Sequence, residues 1–134
     1  MKKRPFILDA HALMVYLEGE AGADKLSTLF AAAVNDQAPL LMTSVNYGEI
    51  LYITLREYGE KACAQADSAI EHLPVEIVDV DRPLVKIAAQ FKARGGLSYA
   101  DCFAAALAKL RNGTVITGDP EFKAVENEVP VLWI

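Results

Sequence analysis

The sequence predicts an α/β fold in which a mainly parallel sheet of about five strands is covered by helices on both faces. Short apolar segments without helical periodicity recur along the chain, and these are predicted strands. Longer stretches, in which apolar residues repeat at helical spacing, lie between them. Strands that alternate with helices are typical of βαβ crossovers, which place helices on both faces of a parallel sheet.

The predicted strands are rich in Val, Ile, Leu and Thr, residues that suit a buried pleated surface. In chain order they cover residues 6–8, 40–43, 75–80, 114–117 and 131–134.

The predicted helices are separated from the strands and from one another by short turns. Gly59 is a helix C-terminal signal, so the two helices that flank it are expected to form a hairpin between two strands. The pair Gly95 and Gly96 is the clearest break in the second half of the chain. The predicted helices cover residues 10–18, 21–36, 44–58, 60–73, 83–94, 99–111 and 121–126.

Length and composition indicate one folded domain, residues 1–134, with 53% apolar and 23% charged residues. The longest charge-free run, 37–48, is shorter than the roughly 20 apolar residues of a membrane span. Lys2, Lys3 and Arg4 resemble the basic start of an export signal, but Asp9 interrupts the apolar run behind them, which favours a cytoplasmic protein. The two cysteines form neither a CxxC pair nor a disulfide framework.

The formal net charge of −5 argues against nucleic-acid binding through a uniform basic surface. It does not exclude a metal-dependent nuclease. In such an enzyme acidic residues hold divalent cations, and the cations supply the positive charge that phosphate requires.

Two aspartates follow predicted strands. Asp9 comes directly after strand 6–8, and Asp119 comes two residues after the strand that ends at Thr117. Ligands of doubly wound sheets bind at the carboxyl ends of the strands, so both carboxylates are expected at one edge. Each aspartate also has a structural interpretation as a helix N-cap, and Pro120 after Asp119 favours that interpretation.

Glu49 and Asp101 are isolated charges within predicted helices. Glu49 is the only charged residue from 38 to 55, and Asp101 is the only one from 95 to 108. Asp101 also fits a capping box with Ser98. An ionised carboxylate on an apolar helix face is costly unless it is paired or coordinated, and a shared cation site would explain all four acids together. Carboxylates without imidazole or thiolate ligands favour Mg²⁺ or Mn²⁺ over zinc.

Four segments in register resemble the PIN-domain ribonucleases, and more narrowly the VapC-type toxins of bacterial and archaeal toxin-antitoxin pairs. The resemblance covers almost the whole chain in order and spacing. The segments are 6–13 (FILDAHAL), 45–50 (VNYGEI), 97–102 (LSYADC) and 116–122 (ITGDPEF).

The resemblance implies a three-layer α/β/α fold and a metal-binding acidic cluster that Thr117 supports through its hydroxyl. It implies Mg²⁺- or Mn²⁺-dependent hydrolysis of RNA phosphodiesters, which leaves a 5′-phosphate and a 3′-hydroxyl. It further implies a cognate antitoxin as partner and a homodimer, which the high apolar fraction also favours. The candidate dimer surface is helix 44–58 with its hairpin partner 60–73, and it includes Tyr52, Leu55 and Tyr58. The acids of the implied cluster are Asp9, Glu49, Asp101 and Asp119.

Two residues near these acids leave alternatives open. Asn46, one helical turn before Glu49, either orients substrate or a metal-bound water or is a polar residue of the helix start. Many family members carry serine or threonine in the two positions after the first aspartate, where this chain has Ala10 and His11. His11 is then either a phosphate contact or a structural histidine.

Two other classes of protein remain as alternatives. A receiver-type signalling domain has a similar size and a strand-end aspartate, but it needs a lysine at the end of a late strand, where this chain has Thr117 followed by Gly118. A catalytically idle PIN-like module that binds RNA or protein should have lost at least one of the four acids, and all four are present.

Overall fold

The structure is a computed structural model that describes residues 4–134, so Lys2 and Lys3 of the basic start lie outside the described residues. Strands and helices alternate as predicted. The strands are β1 (Phe6–Leu8), β2 (Leu40–Thr43), β3 (Val75–Val78), β4 (Thr114–Thr117) and β5 (Val131–Trp133). The helices are α1 (Ala10–Glu18), α2 (Ala23–Asn35), α3 (Ser44–Tyr58), α4 (Glu60–Glu71), α5 (Arg82–Arg94), α6 (Tyr99–Arg111) and a 3₁₀ helix (Pro120–Val125).

The five strands form one sheet in the order β3-β2-β1-β4-β5, and every pairing between them is parallel. Strands β2 and β3 follow β1 on one side of it, and β4 and β5 lie on its other side. The strand order therefore reverses between β1 and β4, which is where open α/β sheets form ligand crevices.

Two apolar layers cover the sheet, and consecutive β1 residues enter opposite ones. Ile7 packs in a cluster with Phe91 and Leu107, which come from α5 and α6. Leu8 packs in the other cluster, to which α1 to α4 contribute side chains such as Leu13 and Phe30. This alternation follows from the period of two in a strand, and it confirms the predicted three-layer arrangement.

Helices α3 and α4 form the predicted hairpin. Gly59 has φ 92°, a backbone conformation that favours glycine, and its N–H donates to the Leu55 carbonyl at 3.1 Å. The Tyr47 hydroxyl donates to the Asp67 carboxylate across the hairpin. This bond raises the pKa of Tyr47 to about 12, because the neighbouring carboxylate disfavours a phenolate.

Six predicted segments differ from the structure by one or two residues at one or both ends, and three of them have a clear local cause. Helix α2 begins at Ala23, because Gly22 has φ 105° and cannot be helical. Strand β3 ends at Val78, where its ladder with β2 stops, and the Val80 N–H donates instead to the Ser44 hydroxyl at 3.2 Å. The predicted helix 121–126 is a 3₁₀ helix over Pro120–Val125, in which the Phe122 N–H donates to the Asp119 carbonyl.

No helix within residues 4–134 is both long and apolar enough to cross a membrane.

Candidate metal centre at the carboxyl edge of the sheet

Asp9 lies at the carboxyl end of β1 and is completely buried. Its Oδ1 atom accepts a hydrogen bond from the Ala12 backbone N–H at 2.8 Å, which caps α1. Its Oδ2 atom accepts a hydrogen bond from the Thr117 hydroxyl. Strand register explains the second contact, because Leu8 of β1 pairs with Ile116 of β4 and the residues that follow face each other at the edge.

Thr117 links Asp9 to Asp119. Its buried hydroxyl donates to Asp9 and accepts from the Asp119 backbone N–H at 2.9 Å. The Asp119 Oδ1 atom in turn accepts from the Glu121 backbone N–H at 2.9 Å and begins the 3₁₀ helix. Two strand-end carboxylates thus lie on either side of one hydroxyl at the point where the strand order reverses.

Asp101 lies in the first turn of α6, and its side chain is directed toward the same edge. The Ser98 hydroxyl accepts from the Asp101 backbone N–H at 3.2 Å, so Ser98 caps the helix as the sequence predicted. Burial and, after it, the charges of Asp9 and Asp119 together raise the pKa of the Asp101 carboxyl to about 8. Asp101 is therefore close to both strand-end aspartates.

Glu49 projects from the middle of α3 and is half-buried. Burial raises its pKa, and so does the negative charge of Asp119. The pKa of Asp9 is raised to about 7, mainly by burial, which outweighs the lowering effect of its two hydrogen-bond donors, and the charges of Asp119 and Glu49 add smaller increases. The structure thus brings together all four acids that the sequence indicated. The charged neighbours that shift the pKa values of Asp9, Glu49 and Asp101 are all acids.

Glu121 also lies in this cluster, and the sequence did not indicate it. Carboxylate oxygens of Asp101, Asp119 and Glu121 lie within 4.8 Å of one another, a spacing that a single metal ion can bridge. The position of Glu121 depends on the tight 3₁₀ turn that Asp119 caps. The only local signal was a second acid two residues after Asp119.

Asn46 is completely buried, and its side-chain amide is bound by protein groups at both ends. Its Oδ1 atom accepts from the Thr43 hydroxyl at 2.5 Å, and its Nδ2 atom donates to the Ala100 carbonyl at 3.1 Å. The first contact lies at the start of α3 and the second at the start of α6. Asn46 therefore joins the two helices that carry Glu49 and Asp101.

The donor set fits a hard divalent cation. It consists of carboxylate oxygens, which Mg²⁺ and Mn²⁺ accept and which soft-metal sites lack. These acids repel one another and have raised pKa values. A bound cation would stabilise their ionised form, which burial disfavours.

A model of the PIN-domain family matches residues 6–128. The chain belongs to the PIN-domain family. Among curated relatives, Ribonuclease VapC30 of Mycobacterium tuberculosis is 26% identical over 124 residues, which cover 87% of this chain and 92% of the relative. Ribonuclease VapC of Mycolicibacterium smegmatis is 26% identical over 127 residues, covering 90% of this chain and 95% of the relative.

Solved structures share the PIN-domain fold over nearly the full length. The VapBC2 structure of Rickettsia felis, bound to a promoter DNA fragment, has a TM-score of 0.73 at 17% identity and covers 96% of this chain and 98% of its own. The DNA-bound VapBC structure of Salmonella typhimurium has a TM-score of 0.73 at 19% identity, with 97% and 98% covered. VapC20 of Mycobacterium tuberculosis, a toxin that cleaves the sarcin-ricin loop, has a TM-score of 0.63 at 18% identity, with 90% and 94% covered.

Proposed function

We propose that this PIN-domain protein is a metal-dependent endoribonuclease and the toxin of a toxin-antitoxin pair, acting in the cytoplasm as one unit of residues 1–134. One observation carries the proposal. Buried and half-buried acids with raised pKa values converge, without a compensating base among their charged neighbours, at the point where the strand order reverses. Structural carboxylates are usually paired with cations, whereas acids gathered in this way suit a metal site.

The residues that would hold Mg²⁺ or Mn²⁺ are Asp9, Glu49, Asp101 and Asp119, with Glu121 as a further candidate. When bound, the ion supplies a Lewis acid that activates water and stabilises negative charge on the phosphoryl oxygens. Thr117 orients Asp9 by donating to its Oδ2 atom, while the Ala12 N–H fixes Oδ1. Asn46 acts indirectly, because its two bonds set the distance between the first turns of α3 and α6.

Catalysis is favoured over the idle binding module, because none of the four acids is missing and the charge of Asp119 raises the pKa of each of the other three. The receiver alternative is also disfavoured, since β4 leads through Gly118 to Asp119 and presents no lysine at its end.

The antitoxin partner and the homodimer are part of the same proposal. The curated relatives are named VapC ribonucleases, and several structural neighbours are complexes of a toxin with its antitoxin. For the homodimer, the exposed side of α3 offers large apolar side chains: Tyr52, Leu55 and Tyr58 are 52%, 47% and 64% exposed.

Cleavage of structured and unstructured RNA, with protein freed from any antitoxin, tests the proposed activity. We expect cleavage with Mn²⁺ or Mg²⁺, no cleavage in EDTA, and a loss on the order of 100-fold or more for Asp101→Asn. Glu128→Gln is the matched control, because Glu128 is an acid bound to Arg94 and to Lys109 in the last turn of α6, at the opposite end of that helix from Asp101. Cleavage that persists in EDTA, or that Asp101→Asn leaves unchanged, would contradict the proposal.

A further inference from the structure

We infer that His11 contacts the phosphate backbone of the RNA substrate at the acidic edge, and that Gly118 is the residue that makes room for its ring. The inference rests on the proposed ribonuclease function. It assigns a substrate-binding role to a residue that lies outside the acidic cluster.

The position of His11 is fixed by two elements of the site. It is the second residue of α1, two residues after Asp9, and its ring lies over Gly118 in the segment that joins Thr117 to Asp119. A Cβ atom on Gly118 would come within 2.7 Å of the ring's Cε1 atom and 3.2 Å of Nδ1. A Cβ atom here would force the exposed ring to turn away, whereas glycine leaves the ring in this place.

The ring is held by this contact and by no polar partner. His11 is exposed, and within residues 4–134 its ring makes neither a hydrogen bond nor an ion pair. A histidine retained for structure usually donates one ring N–H to a carbonyl or carboxylate. The second histidine of the chain shows such a contact, because the His72 Nδ1 atom lies 2.7 Å from the Ser68 carbonyl.

The negative charge of the acidic edge explains why RNA binding needs a hydrogen-bond donor such as His11. The acids of this edge repel the phosphates on either side of the one that a metal ion engages. An imidazole donates an N–H in either of its protonation states, so His11 offers a donor beside acceptor-only carboxylates. The inference therefore does not depend on the charge of His11.

RNA affinity in a cleavage-deficient background tests this role separately from catalysis. We expect Asp101→Asn protein to bind a fluorescent single-stranded RNA with Mg²⁺ present, and added His11→Phe to weaken binding roughly 5- to 50-fold. His11→Gln, which keeps an N–H donor, should retain most of the affinity, whereas His72→Gln should change nothing. Equal affinity for the His11→Phe and parent proteins would overturn the inference.

Side-chain NMR distinguishes a histidine that contacts RNA from one that only supports the fold, because only the first should change its imidazole chemical shift when RNA binds. With only two histidines in the chain, His72→Gln assigns both imidazole signals. Saturating the Asp101→Asn protein with the same RNA should shift the His11 signal and leave the His72 signal in place. An unmoved His11 signal at saturation would contradict the inference.

The role of Gly118 is tested by a double-mutant cycle. Gly118→Ala should displace the ring and weaken RNA binding by the Asp101→Asn protein that keeps His11, but it should not weaken binding further in the His11→Ala protein, which has no ring to displace. Equal weakening in both backgrounds would show that the ring does not rest on Gly118. If wild-type protein neither binds nor cleaves RNA, the proposed function fails and this inference fails with it. Cleavage with unchanged affinities contradicts this inference alone.

Discussion

At the scale of single residues, helix capping and metal binding are compatible roles for one carboxylate. Asp9 caps α1 through Oδ1 and meets Thr117 through Oδ2, and it is also close enough to Asp119 and Glu49 for their charges to raise its pKa. Asp119 likewise caps the 3₁₀ helix through one oxygen. The capping bonds fix the orientation of each carboxylate, so a site built on them is preorganised before any cation binds.

We predict that Asp101→Asn stabilises the metal-free protein at high pH. Burial and the neighbouring acids raise the pKa of Asp101 to about 8, whereas its ordinary value is 3.8. The folded state therefore binds this proton more tightly than the unfolded state, and stability falls as the pH rises from about 4 to about 8. At pH 8 in EDTA, Asp101→Asn should raise the free energy of unfolding by on the order of 1–3 kcal/mol, because it removes a charge that burial disfavours. Urea unfolding measures this, and a gain that does not shrink at pH 5 would contradict it.

Glu128→Gln provides a control, because it should change the free energy of unfolding in the opposite direction to Asp101→Asn. Hydrogen bonds from Arg94 and Lys109 lower the pKa of Glu128 to about 2. Its contribution to stability is therefore present above its ordinary pKa and is lost as the pH falls toward 2. Glu128→Gln should lower the free energy of unfolding at neutral pH, in the same urea titration in which Asp101→Asn raises it.

At the scale of elements, local sequence signals predicted most helix bounds, whereas contacts between residues far apart in the sequence determined the positions of some side chains in the site. The caps Asp9 and Ser98 and the break at Gly59 act within a few residues of themselves, so the sequence alone located the starts of α1 and α6 and the end of α3. The place of Glu121 could not be predicted in this way, because it depends on a 3₁₀ turn that brings it to Asp101 on another helix. The contact of Asn46 with the Ala100 carbonyl joins residues 54 positions apart, and no periodicity reveals it.

We predict that Asn46→Ala lowers both stability and activity. The substitution removes the acceptor of the buried Thr43 hydroxyl and the side-chain donor to the Ala100 carbonyl, which should cost about 1–3 kcal/mol of unfolding free energy. Because the same bonds hold the first turns of α3 and α6 together, RNA cleavage under conditions where the variant is fully folded should also fall. Urea unfolding and cleavage kinetics are the measurements. Asn35→Ala, at an exposed position in α2, should leave both unchanged, and an Asn46→Ala protein of wild-type stability would refute the role given to this amide.

At the scale of the whole molecule, helix α3 contributes to two surfaces of opposite character, because it carries Glu49 of the acidic edge and also exposed apolar side chains. The acidic edge is polar and requires cations, whereas the exposed side of α3 carries apolar side chains in water. Tyr58 also lines a cavity of about 410 Å³ together with Met14 and Leu17 of α1, so the apolar surface continues from α3 into the groove beside it. An apolar surface of this kind on an otherwise charged protein is typical of an interface.

We predict a homodimer that forms through α3. Leu55→Glu combined with Tyr58→Glu places two charges on the exposed apolar surface, and this should shift the protein from dimer to monomer because charges are disfavoured at an interface core. Light scattering at micromolar concentration measures the mass. Val34→Glu is the control, since Val34 is 65% exposed on α2. A monomeric wild-type protein would contradict the dimer without affecting the proposed nuclease.

We predict, finally, that Mn²⁺ stabilises the whole protein through the acidic cluster. An ion that binds only the folded state stabilises it by about 2.7 kcal/mol at 100 times its Kd, which for a chain of this length is a rise of roughly 5–10 °C in Tm. Protons compete for Asp9 and Asp101, whose pKa values are raised to about 7 and about 8, so the rise should be large at pH 8 and small at pH 5. A protein carrying both Asp9→Asn and Asp101→Asn should show little rise at either pH, because half of the four-acid site has lost its charge. Calorimetry with and without Mn²⁺ measures these shifts, and an equal rise in the double variant would mean that the ion binds elsewhere on the acidic surface.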